Sequence, residues 1–563
     1  MIFPLERKKY LMVQTRTKPP IEQSGKQTEI QAKRREKIII SLVLCFCSIM
    51  GLTLNLWSIN FGLPFFLHPD ESVYLPRALT ILYSSDLNPY YFYNPPLLTY
   101  MYSLVMSLYF VCGKLLGWFA SMTDFQELYL SNITSFFVIA RTINAVLGVG
   151  ICLLVYQIGK KLFDKVSGLI ASIFVCSSFL IVKDSHYAVN DISGTFFLIL
   201  SFSYIVGIYT KGRLKDYVLS GLFAGMAVAT KYNMGIVLFP LVLAHLLSRK
   251  ERIVNKKFIW AVLSCLCGFV LFCPWIFLDY KPFWRDFVNQ SLMSMNTGLG
   301  GSTSLSYMEY IFTLMWGYGF LPLCFFVIGS IRLCIGKQIG KLLLISCFPL
   351  SYFLLLGGMK LFYVRFAIPL IPYLCLLSAC GIIAVVHRIS YPYRAVVLVL
   401  VTLVSISQGI IFSCKHNHLI SKPDTRVLAR DWISNNLPYG SKIVAEGYSP
   451  NLQVYYDRDR LKENINNYQV ENVWTDLPRN SLNEYKEQGV EYVVTSSYIR
   501  DRYLDSPSEY NFYTVLEEEA EQIFNIAPAP GMVPFYIDEV YSPFWNLFIL
   551  ERPGPTINIF KID

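Results

Sequence analysis

From residue 38 to about 413 the chain alternates long apolar runs with short polar connections, and after that the pattern changes. The runs lie at about 38–60, 133–158, 166–182, 190–210, 216–230, 233–248, 258–279, 308–335, 341–358, 363–386 and 395–413. They approach the ~20 residues that carry a helix across a bilayer, so each predicts one membrane-spanning helix. A further apolar stretch, 96–120, breaks the alternation. A single crossing there would turn the run 133–158 outward and deliver Lys160, Lys161 and Lys165 to the outer side, against the positive-inside bias. Residues 72–131 are therefore read as one outer loop lying on or dipping into the interface, or as a helical hairpin that enters and leaves. The Tyr90-Tyr91-Phe92-Tyr93 run has the composition of an interfacial aromatic belt. The expected fold is mainly α, a polytopic transmembrane helical bundle of about 11 to 13 spans followed by a small α/β domain.

The tail shows different spacing. Residues 424–436 place Leu428, Trp432 and Ile433 at helical intervals before the apolar run Ile443-Val444-Ala445, and a helix over 480–488 precedes a strand beginning at Val490. Such alternation predicts a small sheet flanked by helices.

Charge fixes the sides. Lys33, Arg34, Arg35 and Lys37 stand directly before the first run, so the N-terminus is expected in the cytoplasm with the first span uncleaved. Basic clusters then fall on the inner side at each return: Lys160/Lys161/Lys165, Lys211/Arg213/Lys215, Arg249/Lys250/Arg252/Lys256/Lys257, Arg332/Lys337/Lys341 and Arg388/Arg394. The tail comes out on the extracytoplasmic side. Composition agrees, with 54% hydrophobic residues and a mean hydropathy of +0.42 excluding a soluble protein. Residues 1–414 carry 35 Lys+Arg against 17 Asp+Glu, whereas 415–563 carry 14 against 22, a basic membrane part and an acidic tail. All fourteen cysteines lie at or before Cys414, nearly all in apolar runs, as small buried hydrophobes rather than a disulfide framework. The expected domains are thus a basic N-terminus (1–37), a membrane domain (38–414, with its first outer loop at 61–131) and an extracytoplasmic domain (415–563), in the plasma or inner membrane.

Candidate chemistry gathers on the outer side. Asp70 and Glu71 follow the first span. Arg141, Lys183, Lys231, Lys360 and Arg365 fall in outer connections or outer helix ends, where the topological bias disfavours them. An Arg eight residues into its span, as Arg141 is, must snorkel, pair or face a polar cavity. Several such cations suggest an anion site, fitting the phosphate of a lipid-linked substrate. Asp184 and Asp191 bracket the turn that holds His186, with Asp191 also suited to a helix N-terminus. No His/Cys spacing matches a zinc site, there is no Walker or Rossmann fingerprint, and nothing points to nucleic acid.

The Asp70-Glu71 pair after one span, Asn94-Pro95-Pro96-Leu97, Arg141-Thr142-Ile143-Asn144-Ala145-Val146-Leu147-Gly148, Ala229-Thr230-Lys231-Tyr232-Asn233 and Arg365-Phe366-Ala367-Ile368-Pro369 together resemble the GT-C superfamily of membrane glycosyltransferases. The nearest branches are the protein O-mannosyltransferases and the lipid A aminoarabinose transferases. Asn94 stands where that group usually has histidine, and the Trp-Trp-Asp signature of oligosaccharyltransferases is absent. The resemblance implies transfer of one sugar from a polyprenyl-phosphate donor to a hydroxyl of a protein, glycan or lipid acceptor, with inversion. Asp70 would be the base, Glu71 a second catalytic or orienting carboxylate, Arg141, Lys231, Arg365 and Lys360 the phosphate ligands, and Asp191, His186 and Tyr74 supporting residues. Metal dependence stays open, since a divalent ion between Asp70 or Glu71 and phosphate, or the basic residues alone, would serve. The competing reading is a transporter or flippase of a lipid-linked sugar, because ionisable residues near spans also mark substrate pathways. No internal repeat supports it.

Overall fold

A computed structural model describes residues 20–65, 67–248, 255–296, 306–455, 461–504 and 506–562. Residues 1–19 of the basic N-terminus and the cluster Arg249/Lys250/Arg252 lie outside the described residues. The chain forms two units, residues 1–47 and 48–563, and everything that follows about the site belongs to the second. In order come α1 (Pro20–Leu56), α2 (Glu71–Ser84), α3 (Leu97–Leu115), α4 (Met122–Ser131), α5 (Thr134–Leu162), α6 (Lys165–Ser177), α7 (Phe179–Ser185), α8 (Asn190–Lys211) and α9 (Leu214–Val228), then further helices to Ile420.

The chain is a multi-pass membrane protein. Among the described residues, seven helices are long and apolar enough to cross a bilayer, or nine if each of two bent pairs counts as one crossing. The expected count was higher because several apolar runs make short helices. The run 258–279 is stopped by Pro274, leaving Lys256–Phe272 with 17 residues, and 216–230 gives α9 with 15. These two short helices pack backbone to backbone: a Cβ on Gly221 would lie 2.1 Å from the Ala261 carbonyl oxygen, and one on Gly225 2.1 Å from that of Cys265. Small residues one turn apart permit this approach in a membrane, where dispersion rather than hydrophobicity drives helix association. One cysteine expectation is corrected: Cys152 of α5 and Cys176 of α6 are bridged, bringing together two thiols buried on facing helices, while the other twelve are free.

Residues 72–131 hold three helices joined by non-helical segments at 85–96 and 116–121. α2, α3 and α4 share a core in which Leu75, Ala78, Tyr102, Met106, Phe125 and Phe136 are almost fully buried, and α4 opens with a capping box between Ser121 and Asp124. α3 itself, 19 residues at a mean hydropathy of 1.2, is long and apolar enough to cross a membrane.

The last apolar helix, Arg394–Ile420, runs six residues past the expected boundary at 414, and the C-terminal sheet region begins with the helix Thr425–Asn436, capped by Asp424. Its strands are β1 (Lys442–Glu446), β2 (Gln453–Tyr455), β3 (Leu461–Asn464), β4 (Gln469–Val473), β5 (Tyr492–Ser496), β6 (Glu521–Ile526) and β7 (Ile557–Lys561). The main sheet has the order β4-β1-β5-β7-β6, with β1 parallel to both β4 and β5 and β7 antiparallel to β5 and β6. β2 and β3 form a separate hairpin. The helix Thr425–Asn436 covers one face of the sheet and Pro507–Glu519 the other. Between β6 and β7, residues 527–556 leave the sheet and pack on the membrane helices. Phe544 stacks on Phe179 of α7, and Trp316 donates its indole N–H to the Phe544 carbonyl at 3.1 Å.

Candidate active site

Asp70 stands at the N-cap of α2, a position where Asp ordinarily accepts a hydrogen bond from the first helical turn. Here its side chain makes no such bond. Its Oδ2 instead lies 2.8 Å from Nη1 of Arg365. Glu71, about 100° further round the helix, points elsewhere. Its two oxygens accept from Nε and Nη2 of Arg141 at 2.7 and 2.6 Å, and Oε1 also accepts the Ala188 amide at 2.8 Å. Arg141 Nη1 donates to the carbonyls of Ile59 and Phe61. One turn along α5, Asn144 donates to the carbonyls of Tyr187 and Val189, fixing the turn that launches α8. Arg141 and Asn144 therefore lock the α1–α2 connection, the start of α2 and the α7–α8 turn to α5.

That turn delivers Asp191 to the second position of α8, where the helix dipole favours a carboxylate. Its Oδ1 accepts from Lys231 Nζ at 2.5 Å, and its Oδ2 faces Arg365 Nε at 3.9 Å. Lys231 occupies the break after α9, its ammonium 4.2 Å from the Phe366 ring centroid. Arg365 begins a 3₁₀ turn, Val364–Leu370, with its guanidinium 4.1 Å from the Tyr541 ring and 4.8 Å from Tyr363. Nη1 of Arg365 is buried and makes no well-directed hydrogen bond, close as it is to Asp70. The result is a chain of alternating charge, Asp70, Arg365, Asp191, Lys231. Of the three carboxylates brought here only Asp70 reaches solvent, its side chain 34% exposed against 1% for Glu71 and 3% for Asp191.

Asp70, Lys231, Arg365 and Asp191 thus meet, as does Tyr74, buried one turn along α2 with its phenol held well above the usual range by burial and by neighbours that include Asp70 and Asp191. Arg141 is enclosed instead, with four of its N–H groups bound within the protein and the residue 1% exposed. Glu71 is closed in by that pairing, its side chain 1% exposed. His186 presents its two ring nitrogens to the carbonyls of Val182 and Trp57, a structural tie. Lys360 is exposed and makes no ion pair among the described residues.

Further residues complete the site, the first of them directly preceding Pro69 and Asp70 in the chain. His68 lies between Tyr187 and Tyr541, ring centroids at 4.6 and 5.6 Å, and its Nδ1 accepts the Asp70 amide at 3.3 Å. Burial, then the charges of Arg365 and Lys183, hold His68 well below the usual histidine range, so it is neutral. Asp538 accepts the Val364 amide at 3.0 Å, and burial pushes its carboxyl up to about 7. Tyr363 adjoins Arg365 in sequence and was within reach of inspection; Tyr541 and Asp538 are 170 or more residues away in a proline-rich connection. Among the described residues no group of three or more His, Cys, Asp or Glu side chains lies together, and Asp70 and Asp191 each face a cation.

Residues 127–277 match the family described as dolichyl-phosphate-mannose-protein mannosyltransferase. No curated protein matches significantly in sequence. Solved structures that resemble the chain include the oligosaccharyltransferase of Archaeoglobus fulgidus in its apo form, at 12% identity and a TM-score of 0.54, covering 92% of this chain and 75% of the other. The same enzyme tethered to an acceptor peptide containing the NVT sequon gives 14% and 0.53, covering 87% and 73%. ArnT from Cupriavidus metallidurans bound to undecaprenyl phosphate gives 12% and 0.51, covering 93% and 97%.

Proposed function

The chain has the fold of the GT-C superfamily of membrane glycosyltransferases, and on that premise we propose that it transfers a single sugar from a polyprenyl-phosphate donor to an acceptor hydroxyl on the extracytoplasmic face. The observation that carries this reading is Asp70, the one solvent-reaching carboxylate of a cluster whose two cations, Arg365 and Lys231, lie against aromatic rings. In the reaction the Asp70 carboxylate takes the proton of the acceptor hydroxyl as its oxygen bonds to the anomeric carbon. The bond from that carbon to phosphate breaks, its electron pair leaving on the phosphate. Arg365, with an unsatisfied N–H, and Lys231 receive the growing negative charge. Attack opposite the phosphate inverts the anomeric centre, and a phosphate leaving group makes a general acid dispensable. The binding of undecaprenyl phosphate by ArnT supports a lipid-linked donor.

The test is transfer from a radiolabelled polyprenyl-phosphate sugar by purified protein supplied with membrane extract as acceptor. Asp70→Asn is expected to lose on the order of 10²- to 10⁴-fold in rate, the usual contribution of a general base, while still binding donor. An undiminished rate in the variant would remove Asp70 from the chemistry.

A further inference from the structure

A crevice of about 370 Å³ opens between residues either side of Asp70, among them His68, Pro69 and Ser72, and the carboxyl ends of β1 and β4. Two neighbouring parallel strands, β1 and β4, supply one wall through the residues at and beyond their carboxyl ends, Glu446–Asn451 and Asn472–Trp474.

The lining is chemically specific. Trp474, 56% exposed, has its ring centroid 4.8 Å from that of Tyr448, the planes inclined at 55°. Gly447 makes room for this pair, since a Cβ there would lie 2.8 Å from the Trp474 carbonyl oxygen and 3.0 Å from its ring. Ser449 Oγ is buried without a hydrogen-bond partner, and the amides of Asn451 and Asn472 line the same space. The arginines of the wall are already engaged: Arg426 with Asp424 at 2.8 Å, and Arg430 over the Phe65 ring and with the Asn451 carbonyl.

We propose that this crevice is the acceptor subsite and that it takes a neutral carbohydrate, presenting one of its hydroxyls to Asp70; this rests on the transfer reading above. Paired aromatic faces suit the C–H face of a sugar ring, while amides and an unsatisfied hydroxyl suit its hydroxyl groups. An anionic ligand would find the arginines neutralised or stacked. An extended peptide would bind along a strand edge by main-chain bonding, whereas the crevice lies across strand ends.

The experiment measures binding to the full-length protein in nanodiscs, by tryptophan fluorescence and calorimetry, of mannobiose, cellobiose, chitobiose and arabinobiose, with a Ser/Thr-rich octapeptide as the other class. At least one disaccharide is expected to bind saturably to the wild type and to Asp70→Asn, and at least tenfold more weakly to Trp474→Ala and Asn472→Ala. Both substituted residues are exposed, and unchanged melting of the variants verifies their fold. Absence of disaccharide binding, equal binding by Trp474→Ala, or binding of the peptide alone overturns the subsite. Disaccharide binding as expected, with donor turnover unaffected in Asp70→Asn, leaves the subsite standing and removes the transfer reading on which its catalytic role rests.

Discussion

Arg141 and Glu71 illustrate what a single buried pair commits a protein to. Removing one partner leaves the other charged in a site without water, which costs about 3–5 kcal/mol where it has been measured. Glu71→Gln is therefore expected to lower the melting temperature of the purified protein sharply, and adding Arg141→Met to recover much of the loss. If Glu71→Gln melts like wild type, the pair does not hold the α1–α2 connection in place. The same residues show how far sequence reasoning reaches at this scale. Arg141, Lys231 and Arg365 stood out because they break the positive-inside pattern, and that rule detects a cation needing a partner. It does not say which partner. Asp70 and Glu71 are neighbours in the chain, yet one meets Arg365 and the other Arg141, a division set by the turn of a helix and by side chains some 70 and 295 residues away.

Helices and strands carry their own tests. Gly225 packs against the backbone of the helix Lys256–Phe272, so Gly225→Val is expected to force the two helices apart, reducing yield and melting temperature. Gly235→Val, whose nearest neighbouring atom to an added Cβ is 3.7 Å away, serves as the tolerated control. In the sheet, Glu446 at the end of β1 accepts the Ser496 amide at 2.9 Å and the Tyr513 hydroxyl, and burial raises its carboxyl to about 8 from an ordinary 4.5. Between those values the folded state binds more protons than the unfolded one. Its contribution to stability is therefore fullest below about 4.5 and falls as pH rises toward 8, by at most about 1.4 kcal/mol per unit. Glu446→Gln is expected to flatten the melting temperature against pH over that window, and an unchanged slope would place the titration elsewhere. The strands and helices around Glu446 were legible because alternation and turn residues are local signals: the expected 424–436 helix is Thr425–Asn436, and the expected strand at 443–445 is β1. Span lengths were less so, because an apolar run does not reveal where Pro274 will end its helix or that α9 will shorten to fit a close-packed neighbour.

In the molecule as a whole, the connection 527–556 matters most, and hydropathy gave no indication of it. It belongs to the tail by sequence but packs on the helices: Ser542 bonds both Tyr187 and His416, and Tyr541 lies over Arg365. Long-range pairing of this kind leaves no periodic trace, since each segment on its own is an ordinary polar and aromatic loop. Its contribution can be isolated. Tyr541→Ala removes one of the two rings flanking the guanidinium, and, at about 0.5–2 kcal/mol for a desolvated cation–π contact, the apparent affinity for a polyprenyl-phosphate donor is expected to fall roughly tenfold in a titration. An unaltered affinity would make the ring a packing element alone. The order of manufacture gives this contact a further meaning. A ribosome releases Arg365 176 residues before Tyr541, an interval of roughly 10–35 s at 5–20 residues per second. Throughout it a nascent chain already threaded into the bilayer carries Arg365 without that aromatic cover. The charged cluster is then completed only in the last stretch of translation, and a chain cut short before residue 541 leaves in the membrane a bundle whose arginine lacks one of its two flanking rings.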